Sequence, residues 1–271
     1  PPSSGPPLTI LGTGMRFPDH VTLEAEAAIR QAREVIVVDT GLATLDWLRA
    51  RCPIVTPLLQ TAYVEGDNRL HTYHHFVATT ITAALNHPPV VFAMSGHPLI
   101  SAYAPFLLLD VARAFGIPTR VQAGISSLDA IFAALEVDPL LTGLQLHEAT
   151  DLLLQRRPLQ PDLPALILQV GTVGTLLHSD RRRRPDAFAP LRDHLLRIYA
   201  PSHTVVAVHI SPHPLVPDTR LQVALADLCD LAPELHAGFS LWVPAAHDRP
   251  LGDAAGAAAL TDPDALEEQL G

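Results

Sequence analysis

Cysteine is nearly absent from this sequence: Cys52 and Cys229 stand alone among 271 residues, far apart and outside any CxxC pair. That argues against a disulfide framework and a cysteine zinc site, and it fits a reducing, cytoplasmic compartment. Apolar runs of the roughly 18 residues that span a bilayer are missing, and no basic-then-apolar signal segment opens the chain, so a soluble protein with no membrane partner is expected. Positive charge is scarce as well. With 18 basic against 28 acidic side chains the net charge is −10, which disfavours nucleic acid as a partner. The run Arg181 to Arg184 is the exception, and it reads more simply as a solvated loop or helix start than as a phosphate cradle. Pro1 to Pro7, almost all Pro, Ser and Gly, have little to pack and are expected to form a disordered leader.

What is present, 48% apolar residues, suffices to bury one large core or two modest ones. Leu8 to Leu11 runs into Gly12-Thr-Gly14; then Leu23, Ala27 and Ile29 mark a helix face, and Val35 to Val38 is a short apolar strand, a βαβ beginning. Helices are expected over 43–51, 72–86 and 103–115, with strands over 90–94 and 119–122. Crossover helices between short buried strands imply a largely parallel sheet. Beyond Gly124, helices are expected over 127–135 and 146–155 and strands over 166–170, 205–209 and 239–243. The expectation is an α/β fold in two domains, residues 8–123 and 124–250, with a tail over 251–271 that holds a short helix from Asp262 to Leu270 capped by Thr261.

Chemistry gathers at the turns. The strand ending at Met94 breaks into Ser95-Gly96-His97-Pro98, and Gly124-Ile-Ser-Ser127 repeats the design after the next strand. Turns at the carboxyl ends of buried strands are where open α/β sheets bind small molecules. Gly124 can take positive φ, and Ser126 or Ser127 can cap the following helix, so two such turns would form the polar rim of one pocket. Gly12-Thr-Gly14 lacks the third glycine of a dinucleotide fingerprint, Phe17 standing in its place, and reads as a tight turn. His71 and His75, at i and i+4, can chelate zinc on a helix, yet no Glu occupies position 72 and no third ligand is apparent, so a surface or pocket pair is preferred and no metal is expected. Arg69 and Tyr73 share a helix face. Either the guanidinium favours the phenolate and makes Tyr73 a general base or oxyanion stabiliser, or the ring packs over the arginine stem; spacing leaves both open.

The order Leu8-Thr-Ile-Leu-Gly-Thr-Gly14, Leu23-Glu-Ala, Gly96-His-Pro98, Gly124-Ile-Ser126 and Gln169-Val-Gly171 resembles the tetrapyrrole methylase superfamily of S-adenosylmethionine-dependent methyltransferases along most of the chain. Within it the likeness is to the borosin peptide α-N-methyltransferases, carried by Arg69-Leu-His-Thr-Tyr73, Gly96-His-Pro98, Asp138-Pro139, Glu148-Ala-Thr-Asp-Leu-Leu-Leu154 with Arg157-Pro158, and Gln169-Val-Gly171. The resemblance implies a two-domain class III methyltransferase fold with the cofactor cleft between domains, S-adenosylmethionine as cofactor, and methylation of backbone amides in a ribosomal precursor peptide. It implies Tyr73 as proton acceptor, Arg69 as the group that lowers its pKa and holds developing negative charge, and Tyr63 lining the peptide channel. Ser95 stands where the family usually has a catalytic tyrosine; its shorter hydroxyl leaves room for a water or a deeper substrate.

For the cofactor the resemblance implies Gly96, His97, Ile100, Ser127, Gln169 and Ile210, with Phe239 and Ser240 on the adenine side. Fused members carry their own core peptide after a helical clasp, and none is apparent after Val243, so the split type is expected: a precursor peptide acting in trans on a catalytic homodimer. Small-molecule or tetrapyrrole methylation and a catalytically weak peptide-binding homologue are the alternatives.

Overall fold

Alternation of apolar residues decides which way each strand faces, and a computed structural model describing residues 6–39, 41–179 and 181–270 arranges the strands in two five-stranded sheets. The first half runs β1 (Leu8–Gly12), α1 (Leu23–Gln31), β2 (Glu34–Val37), α2 (Leu42–Arg49), β3 (Ile54–Pro57), α3 (Leu59–Ala62), α4 (Arg69–Asn86), β4 (Val90–Met94), α5 (Ala104–Ala114) and β5 (Thr119–Gln122). The sheet order is β3-β2-β4-β1-β5, with every pair parallel. Leu8, Ile10, Ile36, Val90 and Phe92 point to one face and pack on Phe76, Val77 and Ile81 of α4 and Leu108 of α5. Leu11, Val35, Val37, Val91 and Ala93 point to the other and meet Ala25, Ile29, Leu45 and Leu48 of α1 and α2. Full burial of each such large side chain contributes about 1.5–3 kcal/mol.

The second half runs α6 (Ser127–Leu135), α7 (Pro139–Thr142), β6 (Gln145–Glu148), α8 (Ala149–Leu154), β7 (Ala165–Leu168), α9 (Ala189–Leu195), β8 (Thr204–His209), β9 (Thr219–Ala224), β10 (Phe239–Val243), α10 (Ala254–Ala259) and α11 (Pro263–Glu267). Its sheet order is β6-β7-β10-β8-β9, parallel only between β6 and β7. Ala130 and Ile131 of α6 cover Leu166, Leu168, Val208 and Trp242 on one face. The opposite face buries Ala165, Ile167, Val205, Ala207, Phe239 and Leu241 against α8 and α9.

Several expected elements are corrected. The helix expected over 146–155 begins as the edge strand β6, because Leu146 pairs alongside Leu166, and only from Ala149 does it become helical, capped by the Glu148 side chain on Asp151 N–H. The strand expected over 166–170 stops at Leu168, where Gln169 turns left-handed. Helix α4 starts at Arg69, earlier than expected, because the Asn68 side chain accepts from Leu70 N–H. Asp262, not Thr261, caps α11. Pro1–Gly5 of the expected leader lie outside the described residues, and the Pro7 carbonyl accepts from Val90 N–H at 2.9 Å. Among the described residues no helix is long and apolar enough to cross a membrane.

The turn after β1 is pinned to the second sheet's loops. Arg16 pairs with Asp218 at 2.5 Å, and Asp218 also accepts from Ser211 N–H at 2.9 Å. Burial pushes the Asp218 carboxyl up, but the Arg16 and Ser211 hydrogen bonds outweigh it and hold it below the ordinary carboxylate range. A depressed folded pKa stabilises above the unfolded value, about 3.9, and that stabilisation is lost as pH falls through the folded value. Asp218→Asn is therefore less stable than the parent in urea titrations at pH 6, and the gap narrows progressively as pH falls below about 4.

Helix α6 opens with a reciprocal cap: Ser126 Oγ accepts from Asp129 N–H, and the Asp129 carboxylate accepts from Ser126 N–H at 2.7 Å. Ser126→Ala removes one half of this box and lowers the urea-unfolding free energy by about 1 kcal/mol.

Candidate functional site

The carboxyl ends of β1, β4 and β5 converge on a single carbonyl. A Cβ built on Gly12 would sit 2.1 Å from the Gly96 carbonyl oxygen, and one built on Gly124 would sit 2.4 Å from the same atom. Only glycine permits that approach. Gly14 and Gly96 both have positive φ, 76° and 72°, and form an antiparallel bridge in which Gly96 N–H donates to the Gly14 carbonyl at 2.9 Å. The Gly12-Thr-Gly14 turn is thus spent on its own sheet neighbour, as the tight-turn reading requires.

Beside this knot lies a cleft of about 250 Å³ bounded by elements of both halves. Gly96, His97, Ile100, Ser127, Gln169 and Ser240 line it, together with Ser95 and the apolar Met15, Met94 and Leu168. Ser127 reaches the cleft because its neighbour Ser126 takes the capping role. Ile210 and Phe239 are not among the lining residues. Ile210 is buried among Val208, Trp242 and α6. Phe239 faces the opposite layer, its ring 4.8 Å from His236 and 5.3 Å from His209. The cause is the two-residue period of β10, which turns Phe239 away wherever Ser240 faces the cleft. Met15, Ala237 and Gly238 also line the cleft, and nothing in their sequence spacing marks them.

A second cleft of about 540 Å³ adjoins the first. Arg69, Leu70 and Tyr73 from α4, Tyr103 and Phe106 at the start of α5, and Glu148, Thr150 and Leu176 form its walls. Ser101 and Gln169 line both clefts and divide them. The Gln169 amide donates to Ser101 Oγ at 2.8 Å and to the Ser101 carbonyl at 3.1 Å. Both residues are left-handed, φ 53° and 58°, a conformation that costs a non-glycine residue on the order of 1 kcal/mol.

Tyr73 is half-buried, its ring 5.8 Å from that of Tyr103 and 6.3 Å from that of Phe76. The Arg69 guanidinium donates to the Thr175 carbonyl, while its buried Nε has no hydrogen-bond partner. Residues 175–178 strap the start of α4: Arg69 N–H donates to the Leu176 carbonyl at 2.9 Å, His178 N–H to the Asp67 carbonyl at 2.8 Å, and Thr72 Oγ1 meets His178 Nε2 at 2.8 Å. Tyr63 lines neither cleft; its hydroxyl donates to Glu65 at 2.8 Å and its ring lies 4.8 Å from His178. His71 pairs with Asp67 at 2.9 Å and His75 faces Thr61 at 3.4 Å, so the two rings turn to different partners.

Residues 7–210 match the family described as Tetrapyrrole (Corrin/Porphyrin) Methylases. A methyltransferase/ribosomally synthesized type I borosin cyclic peptide precursor of Gymnopilus junonius is 30% identical over 207 residues, covering 76% of this chain and 48% of the relative. One from Coprinopsis marcescibilis is 32% identical over 207 residues, covering 73% and 51%. The chain spans about half the length of these curated relatives. Among solved structures, a cobalt precorrin-4 methyltransferase superposes with a TM-score of 0.62 at 17% identity, covering 88% of this chain and 94% of the other. A uroporphyrin-III C-methyltransferase of Thermus thermophilus complexed with S-adenosyl homocysteine gives 0.60 at 17% identity, covering 88% and 91%. These likenesses are of fold. By the match over residues 7–210, the chain belongs to the tetrapyrrole methylase family of S-adenosylmethionine-dependent methyltransferases.

Proposed function

We propose that this chain is an S-adenosylmethionine-dependent methyltransferase that N-methylates backbone amides of a ribosomal precursor peptide supplied as a separate molecule, acting as a homodimer in the cytoplasm. The observation that carries the reading is the meeting of two clefts at the Ser101–Gln169 contact, with the Gly96 turn on one side and Tyr73 with Arg69 on the other. The names of the relatives pair a methyltransferase with a ribosomal peptide precursor, which supports a peptide acceptor.

The first cleft suits the cofactor. The hydroxyls of Ser95, Ser127 and Ser240 and the Gln169 amide offer hydrogen bonds to a ribose and an amino-acid moiety, and Met15, Met94, Ile100 and Leu168 give an apolar wall. The bare Cα of Gly96 lets a ligand approach the backbone. When bound, the cofactor supplies an electrophilic methyl group on a sulfonium centre.

The acceptor needs more help. An amide nitrogen is a poor nucleophile because its lone pair is delocalised into the carbonyl. Tyr73 takes the amide proton. The Arg69 guanidinium, which lines this cleft, donates to the amide oxygen as negative charge develops there. Leu70, Tyr103, Phe106 and Leu176 hold the peptide chain and exclude water. Ser95 lines the methyl-donor side, exposed and short, which favours a second reading in which turnover is weak.

Incubation with S-adenosylmethionine and each co-encoded peptide adds methyl masses to backbone fragments; no methylation of any of them refutes the proposal. Tyr73→Phe lowers kcat about 10²–10³-fold with S-adenosylhomocysteine affinity unchanged by calorimetry, because general-base catalysis is lost and the donor cleft is intact. Gly96→Ala weakens S-adenosylhomocysteine binding by about tenfold or more, since its φ of 72° strains any side chain and the new methyl meets Met15 Sδ at 3.3 Å. Ser95→Tyr raises methylation if the weak-turnover reading holds, and leaves or lowers it if Ser95 is already suited to its substrate.

A further inference from the structure

The run Arg181 to Arg184 does not sit in open solvent as a unit. Arg181, Arg182 and Arg183 border a cavity of about 300 Å³ that is also lined by Thr172, Thr175 and Ser179. The chain contains no lysine and carries a net charge of −10, and three of its eighteen guanidiniums gather on this one cavity. Among the described residues, no Asp or Glu lines it.

The arginines divide by what already engages them. Arg183 is half-buried, donates to the Val173 carbonyl and lies 5.4 Å over the Phe188 ring. Burial, and then the Arg69 guanidinium, push its pKa below the ordinary arginine value. Arg184 turns to Asp186 at 3.5 Å. Arg181 and Arg182 are exposed and form no ion pair among the described residues. The Glu65 carboxylate accepts from Ser179 Oγ at 2.7 Å and from Tyr63 Oη at 2.8 Å. His236, which also lines the cavity, has its pKa lowered by burial and secondarily by Arg182.

This cavity touches the acceptor cleft. Thr175 lines both, and its carbonyl receives the Arg69 guanidinium. Guanidiniums recognise carboxylates in paired, bidentate geometry, and a carboxylate here would also relieve the repulsion between Arg69 and Arg183 across the 173–175 turn. Because Thr175 lines both spaces, an extended peptide in the acceptor cleft, advancing about 3.3 Å per residue, can place a nearby side chain in this cavity. We propose that this cavity is a carboxylate-binding subsite in which Arg181 and Arg182 hold an acidic residue of the peptide substrate beside the methylated position, an inference that rests on the peptide reading above.

The test uses the full chain saturated with S-adenosylhomocysteine and two fluorescein-labelled peptides that share a Val/Ile core, one flanked by Asp-Glu and the other by Asn-Gln. By fluorescence anisotropy the acidic peptide binds about tenfold more tightly at low salt, and the advantage shrinks as salt rises. Arg181→Gln/Arg182→Gln abolishes the advantage while S-adenosylhomocysteine affinity, by calorimetry, and the melting temperature stay as in the parent. Equal binding of the two peptides overturns the inference, and so does an advantage that survives the double substitution. A loss of S-adenosylhomocysteine affinity in the double variant also overturns it, because the arginines would then serve the methyl donor. Methyl transfer is read separately: arginine-dependent binding of the acidic peptide without any methylation refutes the proposed reaction and leaves the subsite standing.

Discussion

The close approach of Gly12 and Gly124 to the carbonyl of Gly96 is the constraint on which the rest of the site depends. Three parallel strands end at the same level, and their turns share one small volume because none of the three positions carries a side chain. A tight convergence of backbone creates a rim of turns rather than a plug of side chains, and the open cleft follows from it. Chain continuity does the rest. Pro98 to Tyr103 lead from the knot into α5 and carry Ser101 to the border of the acceptor cleft, while Gly124 leads through the Ser126 cap into α6 and sets Ser127 on the opposite rim.

The second organising feature is the segment after β7. Gln169 turns left-handed at the strand end and reaches Ser101, and the chain then runs beneath α4, giving its carbonyls at 175 and 176 to the side chain and backbone of Arg69. One short stretch from the second half therefore touches both clefts and the basic cavity. Its hydrogen bonds run mostly to backbone groups, so its path is set by geometry more than by the identity of its side chains.

Three strands of the first sheet were legible because each is a short, mainly apolar run, Leu8 to Leu11, Val35 to Val38 and Val90 to Met94, and a buried parallel strand needs apolar residues on both faces. The strands that escaped are those with weak or mixed patterns. Ile54–Pro57 and Gln145–Glu148 sit at sheet edges, half-exposed, and Thr219–Ala224 alternates on an outer strand. For such segments the pairing partner decides the conformation, and the partner is distant in sequence.

For the site, the sequence by itself determined the glycine turns, the helical spacing of Arg69 and Tyr73, and most of the polar rim, since these depend on local backbone rules and on motifs a few residues long. Only the tertiary structure decided that Phe239 turns into the core while Ser240 faces the cleft, that Tyr63 is taken up by Glu65 and His178, and that the arginine run borders a cavity next to the acceptor cleft. The physical reason is range. Periodicity and turn chemistry act over a handful of residues, whereas which face of a strand meets which loop is settled by contacts between segments that lie far apart in the chain.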